Sequence, residues 1–117
     1  MKIREIAQVL EAKIEVEGDS LDLEIEAACG ADLMSDVMAY AKDNVLLLTG
    51  LVSPQVIRTA EMLDIKAVVL VRGKKPDATM LKMAAEKGIT LLTTKESMFT
   101  SCGKLYNLGL TKRGIRD

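Results

Sequence analysis

Ten residues of this chain combine a type suited to reaction or ligand binding, by side chain or by bare backbone, with a position where such groups gather. Thr49, Gly50 and Ser53 follow one apolar run; Arg72, Gly73 and Lys74 follow a second; Thr93 and Thr94 close a third; Asp32 and Ser35 stand after the small-residue stretch Ala28–Ala31. Hydroxyls, glycines and cations at the start of helices suit an anion, because the first turn of a helix offers unpaired N–H groups and partial positive charge. A small phosphate-bearing ligand is therefore the expected guest. The same residue types also serve ordinary turns and caps, and that structural use competes with the binding one.

Catalytic equipment is harder to find. The chain has no histidine, which removes His-based triads and relays and the usual zinc sites. Thr49-Gly50 belongs to no GxxxxGK[ST], and Gly50-Leu51-Val52 does not continue as GxGxxG. Asp32 and Asp36 lie one helical turn apart and could hold a metal, but capping by Asp32 and solvation of Asp36 explain them as well. Neither a catalytic residue, a cofactor nor a metal is expected. The two cysteines, Cys29 and Cys102, lack CxxC spacing and sit among apolar and small residues, as buried free thiols do.

The elements that carry these residues repeat. Asn44–Gly50, Ala67–Gly73 and Ile89–Thr94 are apolar runs recurring about every 22 residues, the first two ending at glycine. Each is followed by an amphipathic stretch, so the pattern is βαβαβ with parallel strands. The spacing predicts an α/β fold, a three-layer sandwich with a mainly parallel sheet, in which ligands sit at the carboxyl ends of the strands. Ser53 with Pro54 and Asp77 are the expected helix caps, and Gly88 the helix stop.

Upstream, Ile3, Ile6, Ala7 and Leu10 mark one face of a short N-terminal helix. Residues 13–17 and 21–27 alternate in polarity around Gly18-Asp19-Ser20, which predicts a hairpin or an antiparallel edge on the parallel core. Their acidic faces are read as solvated, or as an edge that meets a partner. A helix from Asp32 to Ala41, capped by Asp32, should bury Leu33 and Val37 with Tyr40 or Ala41, and Lys42-Asp43-Asn44 should end it. A final helix, capped by Thr93 or Thr94, should bury Met98, Phe99, Cys102, Leu105 and Tyr106. From Gly109 the composition is that of a terminal tail.

Bulk properties exclude several functions. The 117 residues suffice for one domain, and a net charge of −1 gives no electrostatic footprint for nucleic acid. One Phe, two Tyr and no Trp leave nothing to stack bases on. No apolar run reaches the roughly 18 residues of a membrane span, and no apolar leader follows Met1, so a cytoplasmic location is expected.

A strand ending in Thr49-Gly50, a helix, a strand ending in the Arg72-Gly73 turn, a helix, and a strand ending in Thr93-Thr94 together resemble the DRTGG domain over residues 21–108. Residues 1–20 then supply a preceding helix and strand, and 109–117 a tail. The family's first turn reads Thr-Gly-Asp-Arg where this chain has Thr49-Gly50-Leu51-Val52, and its second carries Gly-Gly where this chain has Arg72-Gly73. The stretch Ala28–Val37 is similar to stand-alone members from anaerobic bacteria, often encoded near iron-only hydrogenases. The domain also resembles the N-terminal domain of HPr kinase/phosphorylase and the inserts of regulatory pyrophosphatases. The resemblance implies a non-enzymatic regulatory or interaction domain that forms a homodimer, with a small-ligand-sensing role, and serves a hydrogenase-related or other regulatory protein; the alternative is a sensor that binds a nucleotide or phosphorylated metabolite with the loops at the carboxyl ends of the parallel strands. It implies no kinase activity for this chain, which lacks a P-loop.

Overall fold

The structure, a computed structural model, describes residues 1–40 and 44–113, with the side chains of Tyr40 and Arg113 outside that description. Eleven elements follow one another: α1 (Ile3–Val9), β1 (Lys13–Val16), β2 (Ala27–Gly30), α2 (Met34–Tyr40), β3 (Val45–Thr49), α3 (Pro54–Met62), β4 (Ala67–Leu70), α4 (Ala78–Lys87), β5 (Thr90–Thr93), α5 (Met98–Asn107) and β6 (Lys112–Arg113). The strands form one six-stranded sheet in the order β1-β5-β4-β3-β2-β6. All pairs are parallel except β1 with β5.

Winding direction sets the layers. From β2 through β5 each new strand adds on the same side of the last, so right-handed crossovers place α2, α3 and α4 on one face. After β5 the chain doubles back to β6, and α5 falls on the opposite face beside α1. Two cores result. Leu47, Val68, Leu70 and Leu91 point toward Val37, Val56, Ile57, Ala60, Met80 and Ala84. Leu46, Leu48, Val69 and Leu92 point toward Ile3, Ile6, Leu10 and Leu105. β3 and β4 are buried along their whole length, as continuous apolar strands in a covered parallel sheet must be.

The caps of α3 and α4 form as expected. The Ser53 hydroxyl accepts from Gln55 N at 3.2 Å, and Pro54 takes the first helical position. The Asp77 carboxylate accepts from Met80 N at 2.8 Å, and Gly88 ends α4 at φ 69°.

Residues 13–27 correct the hairpin reading. β1 does form an antiparallel edge, but on β5, and β2 lies far across the sheet. Leu21–Glu26 is instead a strap under α1. Leu21 and Ile25 are buried beside Ile3 and Ile6, whereas Leu23 between them is exposed, so the apolar face expected from the alternation is broken there. The carbonyls of Leu23 and Leu21 accept from Ile3 N and Arg4 N at 3.2 and 2.9 Å. These are N–H groups that the start of a helix leaves unpaired.

Further expectations are corrected. β2 runs through the small residues Ala27–Gly30, whose size lets α5 close over the sheet: a Cβ on Gly30 would stand 3.0 Å from Met98 Sδ. α2 begins at Met34, and Leu33 is exposed. α5 is capped by Ser97, which accepts from Thr100 N at 3.0 Å, because Thr94 continues the β5 ladder through Leu70. Its buried residues are Ser101 and Leu105; Met98 and Cys102 are partly covered, whereas Phe99 and Tyr106 are exposed. Leu110 is buried, and Lys112–Arg113 pair with β2 where the sequence reads as tail. The expected helix end at 42–43 lies outside the described residues. Cys29 and Cys102 are free thiols serving opposite cores, so the sheet separates them. Burial raises the pKa of both.

Candidate functional site

The carboxyl ends of β2 to β5 share one rim, and the residues there separate into two groups. The first is a clasp over the end of β3. Asp32 does not cap α2; one carboxylate oxygen accepts from Gly50 N at 2.7 Å and from the Thr49 hydroxyl at 3.3 Å. The other pairs with the Arg72 guanidinium at 3.2 Å. The Gly50 amide holds the Asp32 carboxyl below its ordinary pKa, and Arg72 and Thr49 add to this against the opposing effect of burial. A Cβ on Gly50 would stand 2.0 Å from the Arg72 guanidinium, so a larger residue there would push that side chain out of the clasp. Arg72 itself adopts φ 62°, an unfavourable region for a side-chain-bearing residue. An acid and a guanidinium thus meet beside Thr49-Gly50 in space, where the chain reads Leu51-Val52.

The second group surrounds a cleft of about 570 Å³ between the loop after β4 and the loop after β5. Its position follows from the topology. The chain leaves β4 toward α4 on one face and β5 toward α5 on the other, and such a divergence opens a crevice outside the strand ends. Gly73, Lys74, Lys75 and Pro76 form one wall; Thr93, Thr94, Lys95 and Glu96 form another, and Lys13 and Glu15 of β1 a third. The loops are tied by Arg72 N to Glu96 O at 2.7 Å and Gly73 N to Thr94 O at 2.9 Å. Gly73 holds φ 69°, which lets the loop turn back over the cleft.

The cleft hydroxyls are engaged. Thr94 donates to Leu10 O at 2.9 Å, and Thr93 donates to Glu15 at 3.1 Å. Glu96 receives Lys104 at 2.9 Å, and Lys13 lies 3.7 Å from Glu15. Among the described residues no carboxylate pairs with Lys74, Lys75 or Lys95. Three solvated ammonium groups at the mouth of a crevice attract an anion, and fixed loop backbone lines its interior.

Of the sequence-derived residues, Asp32, Thr49, Gly50 and Arg72 therefore meet in the clasp, and Gly73, Lys74, Thr93 and Thr94 in the cleft. Ser53 is occupied as a cap, and Ser35 is exposed in α2 with no part in either set of hydrogen bonds. Sequence reasoning counts Lys75 and Lys95 among the cations of the strand-end loops without choosing them as site residues, and it misses Glu15 and Lys13. The β1 residues arrive only through tertiary pairing. Among the described residues no three or more His, Cys, Asp or Glu cluster as metal ligands, and no helix is long and apolar enough to cross a membrane.

Fold and rim together define a three-layer α/β domain with a crevice at the strand ends. A family model, the DRTGG domain, matches residues 5–108, and the chain belongs to that family. The match begins upstream of residue 21 and so takes in most of α1 and all of β1. A similar solved structure is that of the CBS and DRTGG domains of the regulatory region of Clostridium perfringens pyrophosphatase, complexed with its activator diadenosine tetraphosphate. The likeness has a TM-score of 0.72 at 14% identity and covers 89% of this chain; the chain spans 45% of that one. No curated protein sequence matches the chain.

Proposed function

We propose that the chain is a non-enzymatic regulatory domain that binds a small phosphate-bearing ligand, a nucleotide or phosphorylated metabolite, in the cleft between the β4 and β5 loops. The carrying observation is the set of unpaired Lys74, Lys75 and Lys95 around a crevice at the point where the winding diverges. The pyrophosphatase regulatory region, crystallised with a dinucleotide polyphosphate activator, supports the class of ligand. Occupancy would bridge the two loops and so alter the setting of α4 and α5, which leave the rim in opposite directions. Self-association as a homodimer in the cytoplasm, and action on a hydrogenase-related or other regulatory protein, complete the reading; the family resemblance supports them.

A thermal-melt screen against AMP, ADP, ATP, diadenosine tetraphosphate, inorganic phosphate and acyl phosphates tests the ligand. A binder at 100 times its Kd stabilises the fold by about 2.7 kcal/mol and raises Tm by several degrees. The Lys74→Ala/Lys95→Ala variant should retain its own Tm and lose most of the shift. Arg72→Ala should leave binding intact if the cleft alone holds the ligand, and weaken it if the clasp contributes. A flat response to every compound would remove the ligand from the proposal.

A further inference from the structure

The α5 helix turns an uncharged aromatic stripe to solvent. At 3.6 residues per turn, Phe99, Gly103 and Tyr106 fall within one narrow arc, with Cys102 and Asn107 at its borders. Phe99 is 88% and Tyr106 64% exposed, although the chain has just three aromatic residues. Between them Gly103 is bare, since a Cβ there would meet nothing within 4 Å. The rings and this gap form a shallow open trough of about 700 Å³ along the helix.

We propose that this face is where two copies of the chain pair, α5 antiparallel to α5 across a twofold axis near Gly103. The inference rests on the self-association already proposed and assigns its surface. Three observations select a second copy as the occupant. The first is symmetry. Phe99 and Tyr106 lie four residues before and three after Gly103, so a twofold axis there sets each Phe99 against the partner's Tyr106, the self-complementarity an isologous contact requires.

The second is charge. The single charged side chain within α5 is Lys104, and its ammonium is bound to Glu96 of the same chain at 2.9 Å. A partner of either sign would find no counter-charge on this stripe, whereas an identical neutral stripe leaves none unpaired. The third is area. Aromatic side chains bury about 150–250 Å² each, so the exposed parts of Phe99 and Tyr106 present about 300 Å² per copy. With Thr100, Gly103, Asn107 and the exposed edges of Met98 and Cys102 this rises to about 500 Å², or about 1,000 Å² for the pair, the lower bound for a specific interface. The bare Gly103 lets the helices approach closely at the crossing, where two side chains would otherwise hold them apart.

Sedimentation equilibrium of the full chain, with circular dichroism as the check on folding, tests the assignment through Phe99→Lys, Tyr106→Glu and the double variant. All substituted positions are exposed and none lines the cleft. The wild-type chain should be a dimer at micromolar concentration, and each single variant should weaken dimerisation at least 100-fold. The double variant should dimerise better than the two single losses combined predict, because opposite charges then face each other twice across the axis. Such an excess is a result that loss of folding or of general hydrophobicity could not produce. Dimeric single variants would overturn the α5 assignment while leaving self-association standing. Folded, dissociated singles whose losses simply add in the double would overturn the antiparallel register. A monomeric wild type up to about 100 µM would overturn both this inference and the self-association on which it rests.

Discussion

Asp32 shows how one carboxylate changes meaning between chain and fold. Its place ahead of an amphipathic stretch makes it an N-cap by local rules, yet it reaches across to the Gly50 amide and Arg72. Its lowered pKa carries a sign. A carboxyl whose folded value lies below the ordinary 3.8 stabilises the fold above that pH, and the contribution is lost as pH falls below 3.8 through the folded value. The side chain is 53% exposed, so the charge contributes less than about 1 kcal/mol. Asp32→Asn, which keeps an acceptor for Gly50, should be slightly less stable than wild type at pH 7 and converge with it below 3.8. Urea midpoints between pH 7 and 2.5 measure this; a gap that stays constant would mean the charge is irrelevant to the clasp.

Within the elements, α3 combines a well-made start with a flaw in its buried face. Ser53 and Pro54 fix the first turn, and Val56, Ile57 and Ala60 fill the core. Thr59 is fully buried with them, and its hydroxyl finds no partner among the described residues. A buried polar atom without a hydrogen bond costs about 1–3 kcal/mol, whereas replacing it with a methyl group of similar shape removes that cost. Thr59→Val should therefore stabilise the fold by about 1 kcal/mol and raise Tm by a few degrees, a reversal of the usual sign for a core substitution. Calorimetry checks it, and a fall in Tm would show that the hydroxyl is satisfied in solution. At the opposite end of α4, Gly88 φ 69° places Asp19 beside the helix stop, and Gly18 donates to Thr90 at 3.0 Å. The turn after β1 is thereby fastened to the start of β5.

At the scale of the whole molecule, the two cores share the central sheet. β3 lies between β4 and β2, and its side chains alternate between the two cores. Leu47→Ala opens a cavity in the face covered by α2, α3 and α4, and should cost about 2–5 kcal/mol. In urea the midpoint should fall with an unchanged slope, as for one cooperative unit containing both faces. A biphasic transition would separate the α1–α5 face from the rest. Phe99→Ala, by contrast, deletes a larger side chain with little change in monomer stability, since Phe99 touches solvent and not core.

The sequence determined what is local. Alternation of apolar runs with amphipathic stretches identified the α/β class, the parallel core and the caps at Ser53, Asp77 and Gly88, because periodicity and cap chemistry act over a few residues. It also placed Thr49, Gly50, Arg72, Gly73, Lys74, Thr93 and Thr94 on the same rim. Tertiary structure alone decided which edge β1 joins, that Leu21–Glu26 serves α1, and that the rim divides into a clasp and a cleft. It likewise decided that Phe99 and Tyr106 face outward. Strand order depends on pairing between distant segments and on crossover handedness, neither of which is written in any short window. An aromatic stripe on a helix reads the same whether it meets a sheet, solvent or a second copy, until the neighbouring elements have taken their places.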